Sequence, residues 1–161
     1  MAKILIIDDE KSIREALKEL LEYEKYSVDM AEDGKSGLAL LEQNSYSLVF
    51  CDIKMPGVDG IEVLESAVEK GIETPFVMIS GHGTIETAVE TIKKGAYDFI
   101  QKPIDKNMFI LKLHNYSKVY TNMQINKNVM NDALIYFETN TDGVIIKVSK
   151  PLLEISGYTQ E

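Results

Sequence analysis

The stretch "SLVFCDIKMPGVDGIEVLESAVEKG", residues 47–71, joins an apolar run to an amphipathic run through a turn. The opening SLVFC predicts a buried strand, and the turn after it contains Pro56 and Gly57. Asp59 suits the N-cap and Gly71 the C-cap of the helix that follows. The stretch therefore predicts a strand–turn–helix unit in which the carboxylate of Asp52 stands between strand and turn.

The same unit recurs along residues 3–120. Ser12 and Glu15 form a candidate capping box for the first helix, and a later helix has Thr84 as N-cap and Gly95 as C-cap. Strands that alternate with such helices form a parallel sheet covered on both faces. We predict an α/β fold with a doubly wound five-stranded parallel sheet of order 2-1-3-4-5. The predicted strands are residues 3–7, 27–31, 47–51, 76–80 and 97–101.

Length and composition narrow the classes of protein. The 161 residues, 45% of them apolar, suit one domain of about 100 to 150 residues with an extension. A net charge of −9 disfavours direct nucleic-acid binding, which needs a basic surface. No apolar run is long enough for a membrane helix or a signal peptide, so we expect a cytoplasmic protein without membrane contact. The single Cys51 excludes an internal disulfide and fits a small core residue.

Polar residues follow four of the predicted strands. In a sheet of this order, ligands bind beyond the carboxyl ends of the strands. The first strand ends in Asp8 and Asp9, the third in Asp52 and the fourth in Ser80, while Lys102 follows the fifth. We therefore expect three carboxylates, a hydroxyl and an ammonium group at one edge of the sheet.

This group of residue types suits phosphoryl transfer. Three neighbouring carboxylates repel one another, and Mg²⁺ relieves the repulsion with carboxylate, carbonyl and water ligands. The turn after Asp52 offers the backbone carbonyl of Lys54 as a further metal ligand. Lys102 and Ser80 suit the oxygens of a phosphoryl group, and a carboxylate such as Asp52 can form an aspartyl phosphate.

Each residue also has a simpler explanation. An Asp pair after a strand often caps the next helix, and Asp before Pro-Gly often stabilises a turn. An enzyme of the haloacid-dehalogenase class also uses an aspartyl phosphate, but it needs two aspartates separated by one residue after the first strand. Here Asp8 and Asp9 are adjacent, and the candidate nucleophile lies on the third strand.

The motifs "ILIIDDE", "LVFCDIKMPGVDGIEVL" and "VMISGHGTIETAVETIKKGAYDFIQKP" resemble the receiver domain of two-component response regulators. The last motif is most similar to receivers attached to enhancer-binding transcription activators. The resemblance covers residues 1–120 and implies a flavodoxin-like fold. It also implies a signalling switch that accepts a phosphoryl group from a histidine kinase and catalyses its own phosphotransfer and autodephosphorylation.

The resemblance also implies roles for individual residues. Asp52 is the phosphoacceptor, and Asp8, Asp9, Asp52 and the Lys54 carbonyl hold Mg²⁺. Ser80 and Lys102 contact the phosphoryl oxygens, and Lys102–Pro103 is a cis peptide. Tyr97 matches the aromatic switch residue, which turns inward when Ser80 moves towards the phosphate. The alternative is a receiver-like binding or dimerisation module of a hybrid sensor protein that works without phosphorylation.

The extension begins with a helix after Asp105. Apolar residues at spacings of three and four continue past residue 120 and predict a helical linker, residues 121–132, that pairs in a parallel homodimer. The alternative is a shorter helix whose apolar face packs on its own sheet. The Asn-rich segment "MQINKNVMN" is a poor helix former, which predicts a break within residues 124–132.

Residues 133–161 have a different pattern. "ALIYFETNTDGVIIKVSKPLLEISGYTQE" predicts a strand, an Asp-Gly turn, a second strand and a short helix. The segment resembles the opening of a PAS sensor domain. It covers about 30 residues, so we expect a partial PAS-like domain with a partial β-hairpin.

Overall fold

The computed structural model describes residues 2–133, 137–139 and 145–148. Five βα units in succession build the first part of the chain. Their elements are β1 (Lys3–Ile7), α1 (Lys11–Tyr23), β2 (Ser27–Ala31), α2 (Gly34–Gln43), β3 (Leu48–Asp52), α3 (Gly60–Glu69), β4 (Phe76–Ser80), α4 (Ile85–Lys93), β5 (Asp98–Gln101) and α5 (Lys106–Ala133). Two further strands follow, β6 (Phe137–Thr139) and β7 (Ile145–Val148).

The first five strands form a parallel sheet of order β2-β1-β3-β4-β5, which confirms the predicted fold class and strand order. Alternate residues of each strand face opposite sides. Leu5 and Ile7 pack in a core with α2 and α3, whereas Ile4 and Ile6 pack in a second core with α1 and α5. Every residue of β3 and β4 is buried, as expected for central strands covered by helices on both faces.

The helix caps agree with the sequence except at α1. Asp59 and Thr84 cap α3 and α4 through side-chain oxygens, and Gly71 and Gly95 have positive φ angles after those helices. The predicted Ser12–Glu15 capping box of α1 is wrong, because Glu10 is the N-cap. Its carbonyl accepts the N–H groups of Ile13 and Arg14, so α1 begins at Lys11 and encloses Ser12.

Helix α5 runs from Lys106 to Ala133, so the predicted break within residues 124–132 is wrong. Asparagine costs less than about 0.7 kcal/mol relative to alanine in a helix, a penalty too small to break one by itself. Phe109, Leu113 and Tyr116 are buried in the core of the sheet. The first part of the apolar pattern therefore packs on its own sheet, as in the alternative, although the helix is not short.

The chain divides into two compact units, Met1–Ser117 and Lys118–Glu161. In the second unit, β6 and β7 pair antiparallel, which agrees with the predicted strand pair. The predicted Asp-Gly turn between them and the short helix after them lie outside the described residues. No helix among the described residues is long and apolar enough to cross a membrane.

Candidate functional site

Three aspartates meet at the carboxyl edge of the sheet. Asp8 follows β1 and Asp52 ends β3, and only 1% and 5% of their surfaces are exposed. Asp9 lies beside them and is exposed to solvent. One carboxylate oxygen from each lies within 4.8 Å of the others. The predicted acidic cluster is therefore present, with two buried members and one that faces solvent.

Lys102 brings a positive charge to this cluster from the end of β5. Its Nζ atom lies 3.2 Å from Asp8 Oδ2 and 3.5 Å from Asp52 Oδ1. It also donates a hydrogen bond of 3.1 Å to Glu10 Oε1, a contact that the sequence analysis missed. The peptide bond between Lys102 and Pro103 is cis, as the family resemblance implied.

Burial and charge determine the protonation of the cluster. Burial, reinforced by the charge of Asp8, raises the pKa of Asp52 to about 6. Burial likewise raises the pKa of Asp8, although the N–H of Glu10 and the ammonium of Lys102 oppose the shift. Burial opposes the charge on Lys102, but the surrounding carboxylates outweigh it and raise its pKa. When Asp8, Asp9 and Asp52 are all ionised, the ammonium group of Lys102 offsets only part of their negative charge, and burial disfavours that state.

A divalent cation fits this cluster. The Asp8 Oδ2 atom is buried and accepts no hydrogen bond from any described residue, although it lies within ion-pair distance of Lys102. Buried oxygens are normally satisfied, and hard cations such as Mg²⁺ bind carboxylate oxygens. Asp8, Asp9 and Asp52 together therefore offer a suitable ligand set. Lys54, the residue whose carbonyl was predicted as a further ligand, lies on the exposed turn after β3.

Ser80 ends β4 at the same edge of the sheet. It is 3% exposed, and in register it comes directly after Ile79, which pairs with Asp52. The Ser80 Oγ accepts a hydrogen bond of 3.3 Å from the N–H of His82. The side chain of His82 is exposed. The β4–α4 loop therefore fixes the Ser80 hydroxyl. Since β4 pairs with β3, Ser80 lies beside the strand end that carries Asp52.

Tyr97 lies just before β5, and 39% of its surface is exposed. Its ring packs edge-on against Tyr116 of α5, with 5.6 Å between the ring centroids. The Tyr116 hydroxyl donates a 2.5 Å hydrogen bond to Asp98 Oδ2, and Lys112 Nζ lies 3.0 Å from the same oxygen. Tyr97 is thus partly exposed, and its ring packs against the ring of Tyr116, which the hydrogen bond to Asp98 holds in place.

Arg14 is a further residue that the sequence analysis missed. Its side chain is 12% exposed, and its Nη1 atom donates to the carbonyls of Asp8, at 2.7 Å, and Asp9, at 3.0 Å. The guanidinium of α1 therefore fixes the backbone of the acidic pair. Arginine presents several donors in a rigid plane, which suits two adjacent acceptors. The position of Arg14, five residues after Asp9 and in the first turn of α1, was the available signal.

Comparisons with known proteins agree with this arrangement. The family described as response regulator receiver domain matches residues 4–114. The chain is 44% identical over 110 residues to the nitrogen assimilation regulatory protein NtrX of Azorhizobium caulinodans, covering 67% of this chain and 24% of that protein. It is 38% identical over 118 residues to a putative NtrX-like response regulator of Rickettsia felis, covering 72% and 25%. The chain spans about a quarter of the length of these relatives.

The chain is also similar to solved structures of receiver domains. The receiver domain of NtrX from Brucella abortus is 41% identical, with a TM-score of 0.67 over 71% of this chain and 98% of that one. A CheY-like response regulator receiver domain protein from Methanospirillum hungatei is 30% identical, with a TM-score of 0.72 over 76% and 98%.

Proposed function

Because the chain belongs to the response regulator receiver domain family and is a receiver of two-component signalling, we propose that Asp52 is its phosphoacceptor. Receiver domains accept a phosphoryl group from histidine kinases. The observation that carries the proposal is that Asp8 Oδ2 and Asp52 Oδ1 lie 3.2 Å and 3.5 Å from Lys102 Nζ, although the three residues stand at the ends of three different strands. A carboxylate beside a cation that can hold phosphoryl oxygens supports the role of nucleophile for Asp52.

In the proposed reaction, a carboxylate oxygen of Asp52 attacks the phosphorus of a phosphohistidine. The new O–P bond forms as the P–N bond breaks, and the electron pair of that bond returns to the imidazole nitrogen. With a pKa of about 6, Asp52 is mostly ionised at neutral pH and can act as the nucleophile. The ammonium of Lys102 and the hydroxyl of Ser80 orient the transferred oxygens and offset their charge.

Receiver domains bind Mg²⁺ at their acidic pocket. In this chain we propose Asp8, Asp9, Asp52 and the backbone carbonyl of Lys54 as its ligands. When bound, Mg²⁺ supplies positive charge that stabilises the phosphoryl oxygens. The buried Asp8 oxygen without a hydrogen bond among the described residues supports this ligand set.

Phosphorylation-based switching is typical of the family. We propose Ser80 and Tyr97 as the switch pair of this chain: Ser80 moves towards the phosphoryl group, and the Tyr97 ring turns inward. The half-exposed Tyr97 supports this role, since its ring has an outward position to leave. The switch then controls an output domain elsewhere in the protein.

For the rest of the chain, we propose residues 1–120 as the receiver, 121–132 as a helical linker and 133–161 as the start of a PAS-like domain. A homodimer through the helix after Asp105 is a further proposal. So are a cytoplasmic location and the absence of nucleic-acid binding by this part of the protein.

Mass spectrometry of the intact protein tests the phosphoacceptor. Acetyl phosphate with Mg²⁺ is expected to add one phosphoryl group, about 80 Da, to the wild type and none to Asp52→Asn. Asp59→Asn is the matched control, because asparagine also caps helices well and should keep α3 intact. A folded wild type that gains no mass would contradict the assignment and favour a phosphorylation-independent binding module. An Asp52→Asn variant that gains the mass would contradict it by showing that another residue is the acceptor.

A further inference from the structure

Glu10 is a carboxylate beside the site that phosphoryl transfer does not use. Its Oε1 atom accepts a hydrogen bond of 3.1 Å from Lys102 Nζ. The Glu10 side chain is 57% exposed, whereas that of Lys102 is 13% exposed. Glu10 therefore reaches the ammonium from the solvent side, the side from which a phosphoryl donor must approach.

The backbone of Glu10 is fixed on both sides. Its N–H donates a hydrogen bond of 2.8 Å to Asp8 Oδ1, and its carbonyl accepts hydrogen bonds from the N–H groups of Ile13 and Arg14 in α1. The exposed side chain therefore extends from a rigid base next to the acidic cluster. The three carboxylates grouped within metal-binding distance are those of Asp8, Asp9 and Asp52. Glu10 contacts the cation of the site instead.

The ammonium of Lys102 is consequently shared by three carboxylates, those of Asp8, Glu10 and Asp52. An ammonium group has three donors, and three carboxylates already lie within ion-pair distance of this one, so a phosphoryl oxygen that binds Lys102 competes with them. Asp8 and Asp52 are buried and held in place, whereas Glu10 is exposed and can rotate into water at little cost. Glu10 is the partner most easily displaced.

We infer that Glu10 is a positioning residue that competes with the phosphoryl group for Lys102. In the unphosphorylated protein it holds the ammonium over the acidic cluster and adds negative charge that opposes an incoming anion. On phosphorylation it leaves Lys102 to the phosphoryl oxygens. This inference rests on the proposed function, since it concerns the same lysine and the same anion.

Glu10→Gln tests the competition, because glutamine keeps the size of the side chain and removes its charge. The probe is beryllium trifluoride, a phosphoryl mimic, titrated by calorimetry in the presence of saturating Mg²⁺. Since exposed ion pairs are worth up to about 1 kcal/mol, we expect Glu10→Gln to bind the probe about threefold to fivefold more tightly than the wild type. Glu10→Gln is also expected to be phosphorylated by acetyl phosphate faster than the wild type.

Glu15→Gln is the matched control. Glu15 lies on α1, the helix that Glu10 caps, is exposed, and pairs with Lys11 at 3.7 Å, so its replacement changes the net charge equally without touching Lys102. Its affinity for the probe is expected to equal that of the wild type. The gain of Glu10→Gln is also expected to shrink as salt rises, because salt screens exposed charges. Melting temperatures of the three proteins establish that all remain folded.

The outcomes separate the inference from the function. If the wild type binds the probe and Glu10→Gln binds it no more tightly, or if Glu15→Gln gains as much, the competition is overturned while the phosphoacceptor stands. Weaker Mg²⁺ binding by Glu10→Gln, measured without the probe, together with no gain in probe affinity, would make Glu10 a metal-site residue and overturn it as well. If neither protein binds the probe or gains a phosphoryl group, both proposals fall.

Discussion

Asp52 is a carboxylate whose surroundings oppose its charge. Burial, together with the charge of Asp8, favours its protonated form more strongly than Lys102 favours the ionised one. Such a group costs folding free energy at neutral pH. Perturbed carboxylates of this kind are common at functional sites, where the cost supports chemistry.

The pH dependence of stability follows from this shift. The folded pKa of Asp52, about 6, lies above the ordinary value near 4, so the proton is bound more tightly in the folded state. The stabilisation is complete below about pH 4 and is lost as the pH rises towards 6. Without divalent cations, Asp52→Asn is therefore expected to be more stable than the wild type at pH 7.5 by up to about 3 kcal/mol.

Urea unfolding followed by circular dichroism in EDTA measures this difference. At pH 4 the two proteins are expected to differ little, because the wild-type carboxyl is then protonated in the folded state and about half protonated in the unfolded state. A gain of equal size at pH 4 and pH 7.5 would show that charge on Asp52 is not its cause. If Asp52→Asn is no more stable than the wild type at either pH, the raised pKa of Asp52 is contradicted.

At the scale of elements, α5 is fastened to β5 by one carboxylate. Asp98 Oδ2 accepts from the Tyr116 hydroxyl at 2.5 Å and from Lys112 at 3.0 Å. The ring of Tyr116 contacts both Phe50 in the core and Tyr97 beside β5. The contact therefore joins the core, α5 and the proposed switch residue.

Tyr116→Phe removes the hydroxyl and keeps the ring. Since the lost hydrogen bond is partly buried and its acceptor is charged, we expect the free energy of unfolding to fall by about 1 to 2 kcal/mol. Tyr23→Phe, at a tyrosine that is 77% exposed, should change it by less than about 0.5 kcal/mol. Chemical denaturation of both variants measures the difference, and equal effects would mean that the Asp98 contact contributes no stability of its own.

At the scale of the whole molecule, the second unit begins within α5. Met123, which continues the spacing of three and four from Tyr116, is 48% exposed on this helix. Apolar side chains at this level of exposure are covered when helices pair. The proposed homodimer uses this part of α5, whereas Phe109, Leu113 and Tyr116 are already occupied by the sheet.

Analytical ultracentrifugation tests the dimer. The 161-residue chain is expected to show a mass that rises with concentration towards twice that of the monomer, while a chain that ends at Lys118 stays monomeric. The first unit ends at Ser117, so the shorter chain keeps it whole. Equal monomer masses for the two chains would refute pairing through the helix.

The order of the sheet and the place of the site could be read from the sequence. Apolar runs that alternate with amphipathic runs allow few parallel topologies, and the carboxyl ends of parallel strands lie on one edge. That reasoning located Asp8, Asp9, Asp52, Ser80 and Lys102 correctly, and it found the caps of α3 and α4 because their signals are local. The prediction failed at α1, where serine is the usual capping residue type but Glu10, two residues before Ser12, is the N-cap.

The tertiary structure decided which of these groups touch, and which others join them. Lys102 is 92 residues from Glu10 along the chain, and Tyr116 is 18 residues from Asp98, so no local pattern predicts either contact. The Arg14 hydrogen bonds to the Asp8 and Asp9 carbonyls likewise depend on how α1 sits on the sheet. Packing between neighbouring elements determines the partner of each such side chain. A buried polar group without a partner costs more free energy than the loss of side-chain rotamer freedom that pairing requires.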